Sequence, residues 1–233
     1  MAGWLLLDSG SDGHSGPPRA AIVDQLGLTF PNPGFVENVT ATLERAGYQV
    51  DYIPGAQVNV VFYEGLPERN YDIVIFRVHS DRLQGEWQGQ PIDETVLFSA
   101  EPFDEKKYLD DRAQARLTSA RYFEGSDRFF GIAPTFVEQR MKGRFHNTLV
   151  IAMGCDGLSS QRTAEAFLNK GAGTFVGWDE LVTADHTDAS IERFVQHVVG
   201  DGLTPQAAVS RTMEELGPDP AYNSFLRAFP TGS

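Results

Sequence analysis

The chain has 233 residues, enough to bury one sizeable core, and 41% of them are hydrophobic and 22% charged, as is usual for a globular protein. A formal net charge of −13 disfavours nucleic acid and anionic membranes, so we expect contact with neither. A single cysteine excludes an intrachain disulfide, and no apolar run approaches the ~18 residues that a membrane-spanning helix needs. The cytoplasm is the default compartment, and an exported or tethered domain of a longer parent is the alternative.

The chain is predicted to contain one domain behind a flexible tether. Residues 1–18 form the tether, because they include a polar stretch rich in Gly, Ser and Pro. The domain fills residues 19–233 and opens with short apolar runs separated by turn-forming residues and by one segment of helical periodicity. These patterns predict, in chain order, a strand over 19–26, a helix over 35–46 and a strand over 48–53.

Two strongly apolar runs, residues 71–78 and 148–153, predict buried parallel strands that helices cover on both sides. Residues 81–146 between them are predicted to be an insert, with strands over 95–99 and 128–132 and a charged helix over 109–121. The elements predicted after the second run are a helix over 159–170, a strand over 173–178 and helices over 188–199 and 204–216. This alternation predicts an α/β domain with a mainly parallel central sheet and helices on both faces.

Reactive side chains follow both of these runs at the same point. His79 and Ser80 come directly after the first run, and Gly154 and Cys155 come directly after the second. In open α/β sheets, ligands bind outside the carboxyl ends of the strands. A thiol needs a nearby base to attack an acyl group at neutral pH, and histidine has a suitable pKa. The plainer alternative is that Cys155 is buried, inert packing.

The two blocks, DIVIFRVHS and TLVIAMGC, resemble the paired motifs of caspase-like cysteine peptidases. This clan (clan CD) includes caspases, legumain, clostripain, gingipains, separase and the CHAT proteases. Residues 164–209 are similar to the separase and CHAT pattern of a helix, a strand ending in Trp, an acidic loop and another helix. The resemblance implies a caspase-like three-layer sandwich in which Cys155 is the nucleophile and His79 the acid/base. It also implies a peptide or protein substrate.

The resemblance also implies which residues lie near the scissile bond. The backbone at Ser80 and Gly154 is expected beside the substrate carbonyl, and the Cys155 N–H, just before a predicted helix, is a candidate oxyanion donor. Met153 stands where several families carry an acid or Gln. The acidic loop points instead to Asp188 as the residue that binds the substrate side chain, with Asp179 and Asp185 as lesser candidates. Cleavage after Arg or Lys is therefore the expected preference, although Asp188 also suits a helix N-cap.

No cofactor or metal is required by these predictions. Acidic pairs at 104–105 and 110–111 are candidate calcium ligands, but such pairs usually form a solvated face. Two other functions stay open. One is a caspase-fold pseudoenzyme or interaction module that retains the dyad without using it. The other is an amidotransferase-like or flavodoxin-like hydrolase, which the position of His79 before Cys155 disfavours.

Overall fold

The computed structural model describes residues 16–231. Its strands are β1 (Arg19–Asp24), β2 (Gln49–Pro54), β3 (Ile73–Arg77), β4 (Ser80–Trp87), β5 (Gln90–Pro102), β6 (Leu117–Arg121), β7 (Arg128–Ile132), β8 (Thr148–Ala152), β9 (Ala172–Trp178) and β10 (Leu226–Phe229). Six of them form the central sheet in the order β2-β1-β3-β8-β9-β10. The first five of these are parallel, and β10 runs antiparallel along β9. The predicted α/β class with a mainly parallel sheet is confirmed.

Helices cover both faces of the central sheet. They are α1 (Pro33–Arg45), α2 (Val60–Glu64), α3 (Leu109–Ala113), α4 (Pro134–Gln139), α5 (Arg162–Asn169), α6 (Ala184–Val195) and α7 (Pro205–Leu216). Because side chains alternate along a strand, Ile73 and Ile75 face one side while Val74 and Phe76 face the other. The first side packs against α1, α6 and α7. The second packs against α2, α4, α5 and part of the insert, so each side of the sheet has its own apolar core.

The insert forms a second, antiparallel sheet in the order β4-β5-β7-β6. The strands predicted at 95–99 and 128–132 therefore exist, within a larger sheet than expected. The helix predicted over 109–121 is wrong beyond Ala113. Ala115 has a left-handed φ of 51°, and the chain then pairs with β7 because Leu117 and Ala120 are buried there.

Other boundaries shift by a few residues. The helix predicted from residue 159 begins at Arg162, after an irregular turn, and α6 begins before its predicted start. The π-helical turn Gln196–Gly200 follows α6 directly. Most of the predicted tether falls on residues 1–15, which lie outside the described part of the chain. Within residues 16–231, none of the helices combines the length and apolar character needed to cross a bilayer.

Candidate active site

The ends of β3 and β8 are in direct contact. These strands are parallel neighbours, as predicted. The Ser80 hydroxyl donates a hydrogen bond to the carbonyl oxygen of Cys155 at 2.6 Å. A Cβ atom added to Gly154 would lie 2.2 Å from Ser80 Oγ and 2.5 Å from the Val78 carbonyl oxygen, so only glycine fits between the two segments. The segments that carry His79 and Cys155 therefore meet at the carboxyl edge of the sheet.

The imidazole of His79 is held by the loop that follows β1. Its Nε2 lies 2.8 Å from Thr29 Oγ1, and the Thr29 hydroxyl is also placed to donate to the Leu26 carbonyl oxygen at 3.1 Å. A hydroxyl has one proton, so when Thr29 donates to Leu26 it accepts the second bond from Nε2–H. In the neutral ring this leaves Nδ1 unprotonated. Nδ1 is then the nitrogen able to take a proton from a thiol.

Aromatic side chains surround the His79 ring. The ring centroids of Phe30, Phe98 and Tyr122 lie 6.1, 6.1 and 4.4 Å from that of His79. Burial lowers the pKa of His79 to about 4, and the positive charge of Arg77 contributes to the same shift. The imidazole is therefore neutral at neutral pH, as a general base must be before it accepts a proton.

The thiol of Cys155 is half-buried and engages a different group. Its Sγ donates to the Val182 carbonyl oxygen at 3.7 Å, and in the described structure no hydrogen bond joins it to His79. Burial raises the pKa of the Cys155 thiol, and the negative charges of Asp156, Asp81 and Asp219 raise it further. The resting pair is thus a neutral thiol and a neutral imidazole at one sheet edge, with each held by its own partner.

The backbone after Cys155 turns sharply at Asp156, whose φ is 59°. Non-glycine residues adopt this left-handed conformation rarely, and such strain is concentrated at functional sites. Here the Asp156 N–H donates to the Glu180 carbonyl oxygen at 2.9 Å, and the Thr95 hydroxyl donates to the Asp156 carbonyl oxygen. Because α5 begins only at Arg162, the expected helix start next to Cys155 is wrong. Within residues 16–231 no group accepts a hydrogen bond from the Cys155 N–H, so this amide stays a candidate oxyanion donor.

Asp188, predicted to bind the substrate side chain, is instead buried in an ion pair. Only 4% of the residue is exposed. Its two carboxylate oxygens accept hydrogen bonds from Arg77 Nε and Nη2 at 2.8 and 2.7 Å, and Asn32 donates a third at 2.9 Å. A substrate side chain would have to break this buried ion pair. Nor is Asp188 a helix cap, because it lies inside α6 and the N-cap is Thr183.

Two further residues named for the substrate-binding region, Asp179 and Met153, are engaged elsewhere in the fold. The carboxylate of Asp179 accepts hydrogen bonds from the Phe225 N–H at 2.7 Å and from Arg227 Nε at 3.0 Å, which fixes β10 to the end of β9. The side chain of Met153 is fully buried among the apolar residues beneath the sheet and cannot contact a substrate. Of the acidic candidates, Asp185 is exposed in the first turn of α6.

Sequence reasoning missed the residues that hold His79. Thr29, Gln25 and Tyr122 lie in loops or in the insert, where no motif marks them. The importance of Arg77 could have been inferred from the sequence, because it is a cation inside a run that predicts a buried strand. Buried charges are paired, so a carboxylate partner was to be expected.

Comparison of the sequence with models of known protein families and with curated proteins found no match to either. Within residues 16–231, no group of three or more His, Cys, Asp or Glu side chains is arranged to hold a metal ion. Asp111, one of the candidate calcium ligands, pairs instead with Arg116 and Arg140.

Proposed function

We propose that the protein is a caspase-like cysteine endopeptidase in which Cys155 is the nucleophile and His79 transfers the proton. The observation that carries this proposal is the contact between the two strand ends, through Gly154 and the hydrogen bond from Ser80 to the Cys155 carbonyl. It brings the one thiol of the chain and a neutral imidazole to the same sheet edge, where open α/β sheets bind ligands.

The proposed reaction uses the tautomer that Thr29 selects. The Cys155 side chain rotates away from the Val182 carbonyl, and its thiol proton passes to His79 Nδ1. The thiolate sulfur then bonds to the scissile carbonyl carbon, whose oxygen takes the negative charge near the Cys155 N–H. The C–N bond breaks as Nδ1 returns the proton to the leaving amine. Water, activated by the same nitrogen, hydrolyses the thioester.

Cleavage after Arg or Lys is the proposed preference, and it no longer depends on Asp188. Its support is the negative charge near the thiol, where Asp81, Asp156 and Asp219 all raise the pKa of Cys155. Arg82 is a cation near Asp156, but two hydrogen bonds of 2.7 and 2.6 Å already tie its guanidinium to Asp93. A basic side chain next to the scissile bond would meet attraction here, whereas an acidic one would meet repulsion.

The test is a panel of fluorogenic peptides that differ only at the residue before the scissile bond. We expect kcat/KM for Arg or Lys peptides to exceed that for Leu or Asp peptides by about tenfold or more, which corresponds to ~1.4 kcal/mol. Cys155→Ala and His79→Ala should each abolish turnover while the far-ultraviolet spectrum stays unchanged. If folded wild-type protein cleaves no peptide, the proposed peptidase activity is contradicted. If a Leu or Asp peptide is cleaved faster than the Arg and Lys peptides, the proposed preference is contradicted.

A second candidate function is that of a caspase-fold pseudoenzyme or interaction module. The observation in its favour is that the thiol donates to Val182 and the imidazole to Thr29, so the two groups are not hydrogen-bonded to each other. A thiol-directed activity probe separates the two functions. Labelling of Cys155 that disappears in His79→Ala supports the peptidase. Labelling that is slow and equal in both proteins supports the pseudoenzyme.

A further inference from the structure

Arg77 is the last residue of β3 and is fully buried two positions before His79. All three nitrogens of its guanidinium are engaged. Nε and Nη2 bind Asp188, Nη1 donates to Asp24 Oδ1 at 2.7 Å, and Nη2 also donates to the Phe30 carbonyl oxygen at 2.8 Å. One side chain thus joins the ends of β1 and β3, the loop between β1 and α1, and helix α6.

The loop that Arg77 anchors is the one that holds His79. Asp24 Oδ1, which binds Arg77, also accepts a hydrogen bond from the Gly27 N–H at 2.9 Å. The loop over residues 25–30 is therefore fixed at Gly27 through Asp24 and at Phe30 through Arg77 itself. Thr29, between these two points, meets His79 Nε2. At the start of the same loop, Gln25 Oε1 accepts a hydrogen bond from the backbone N–H of His79 at 2.9 Å.

The charged and titratable groups around His79 are few. From β3, Arg77 acts on the ring through its positive charge. From the insert, Tyr122 packs on the ring, and burial raises the pKa of its hydroxyl, so it stays neutral. The loop over residues 25–30 contributes neutral groups, and Cys155 lies at the end of β8. Arg77, whose guanidinium is paired with Asp24 and Asp188, is therefore a charge that lowers the pKa of this imidazole as well as the anchor of the loop that binds it.

We propose that Arg77 is a positioning residue of the dyad, which holds the loop over residues 25–30 so that Thr29 keeps His79 in the orientation and tautomer that leave Nδ1 as the base. This inference rests on the proposed peptidase function for its effect on turnover. Stability alone is a weak reason for such a group, because replacing a buried ion pair by apolar side chains is often neutral or stabilising.

Two substitutions separate the anchoring role from the charge. Arg77→Lys keeps the positive charge but cannot reproduce the planar fork that reaches two carboxylates and a carbonyl at once. We expect its kcat to fall about tenfold or more at unchanged KM, because the base is displaced while the substrate cleft is intact. Arg77→Met also removes the charge and should raise the pKa of His79 by about half a unit or more. Arg19→Met is the matched control, since Arg19 begins β1 at the opposite end of the strand and pairs with Asp51 near the surface.

The readouts are steady-state kinetics and the nitrogen chemical shifts of His79 in a Cys155→Ala background, in which the titration of the ring is followed by NMR. Wild-type protein should show the Nε2-protonated tautomer, and Arg77→Lys should show a mixture of tautomers at a nearly unchanged pKa. A folded Arg77→Lys protein with unchanged kcat and a pure tautomer overturns the proposal. So does a folded Arg77→Met protein that keeps the wild-type kcat and a pure Nε2-protonated tautomer. If Arg77→Met does not fold, Arg77→Lys alone decides.

The tautomer measurement needs no turnover. If the wild-type protein cleaves no peptide, the peptidase proposal fails while the NMR result still tests whether Arg77 sets the His79 ring.

Discussion

The Ser80 hydroxyl donates a 2.6 Å hydrogen bond to the carbonyl oxygen of Cys155 and so connects the segment after β3 to the segment after β8. The resemblance to caspase-like peptidases implies a role only for the backbone at Ser80. Its side chain, however, makes this bond. The position thus joins the two halves of the proposed dyad, whatever its backbone contributes to substrate binding.

Substituting Ser80→Ala should therefore disturb the site more than the fold. Loss of one part-buried hydrogen bond costs about 1 kcal/mol of unfolding free energy. We expect kcat/KM to fall by about tenfold, because a small displacement of the nucleophile loop is costly in rate. Chemical denaturation and peptide kinetics measure the two effects. The control is Ser210→Ala, since Ser210 bonds only within its own exposed helix, at 3.1 Å to Gln206. Equal kinetic effects at both positions would contradict this view of Ser80.

Gly154→Ala tests the close approach of the two strand ends. The new Cβ would lie 2.5 Å from the Val78 carbonyl oxygen, a backbone atom that cannot move without shifting the end of β3. We expect a destabilisation of about 2 kcal/mol or more and a loss of peptidase activity. Gly65→Ala is the matched control, because its Cβ would meet nothing nearer than 3.8 Å and its φ of −92° suits alanine. Full activity in Gly154→Ala would show that the segments need not touch.

The parallel sheet and the position of His79 and Cys155 at one of its edges could be predicted from the sequence, because both depend on local patterns. Apolar runs long enough for buried strands end at His79 and at Cys155, and parallel strands bring such ends to one edge. The role of Asp188 was not accessible, since its partner Arg77 lies 111 positions away. An acidic residue that caps a helix, binds a substrate or pairs with a distant cation looks the same in a single sequence.

The insert shows a second limit. Residues 80–87 form β4 although most of them are exposed and the segment lacks alternating apolar residues, so its pairing with β5 alone defines it as a strand. Residues 109–121 have a composition that suits a helix, but Leu117 and Ala120 gain more from burial in the second sheet. Tertiary packing overrides local propensity at both places. For the same reason, the contacts of Thr29 and Tyr122 with His79 could not be predicted from the sequence and are seen only in the folded structure.

Asp188→Asn tests whether this carboxylate serves Arg77 alone or also binds the substrate. If the carboxylate serves only to bind Arg77, the substitution should lower kcat/KM for Arg and Leu peptides by the same factor. It should also destabilise the fold by about 3 kcal/mol or more, because it leaves a buried cation with one fewer anion. Steady-state kinetics at a temperature where the variant is folded give the ratio of kcat/KM for the Arg peptide to kcat/KM for the Leu peptide. A selective loss of the Arg peptide would restore Asp188 as the residue that binds the substrate.

Asp156→Asn should make the thiol more reactive. The carboxylate next to Cys155 disfavours the thiolate and so raises the pKa of the thiol. Removing this charge lowers that pKa, which increases the thiolate fraction at neutral pH. We expect the rate of alkylation by iodoacetamide to rise about threefold, equivalent to a shift of about half a pKa unit. Asp104→Asn, in the exposed part of the insert, is the control. A slower rate in Asp156→Asn would mean that the carboxylate helps to form the thiolate.

His79 should make the folded protein sensitive to mild acid. Its pKa is about 4 in the folded state and near 6.5 in the unfolded chain, because burial excludes the charged ring. Between these values the unfolded state binds more protons, so the free energy of unfolding decreases as the pH falls from 6.5 towards 4. The full contribution of this one group is about 3 kcal/mol.

In His79→Gln this part of the pH dependence should disappear, whereas His146→Gln, at an exposed position, should retain it. Urea denaturation gives the free energy of unfolding of both variants over this pH range. The difference between the two variants reports His79 alone, because the carboxylates that titrate in the same range are present in both. Parallel stability curves for the two variants would mean that His79 accepts a proton in the folded state. Burial would then not lower the pKa of His79 in the folded protein.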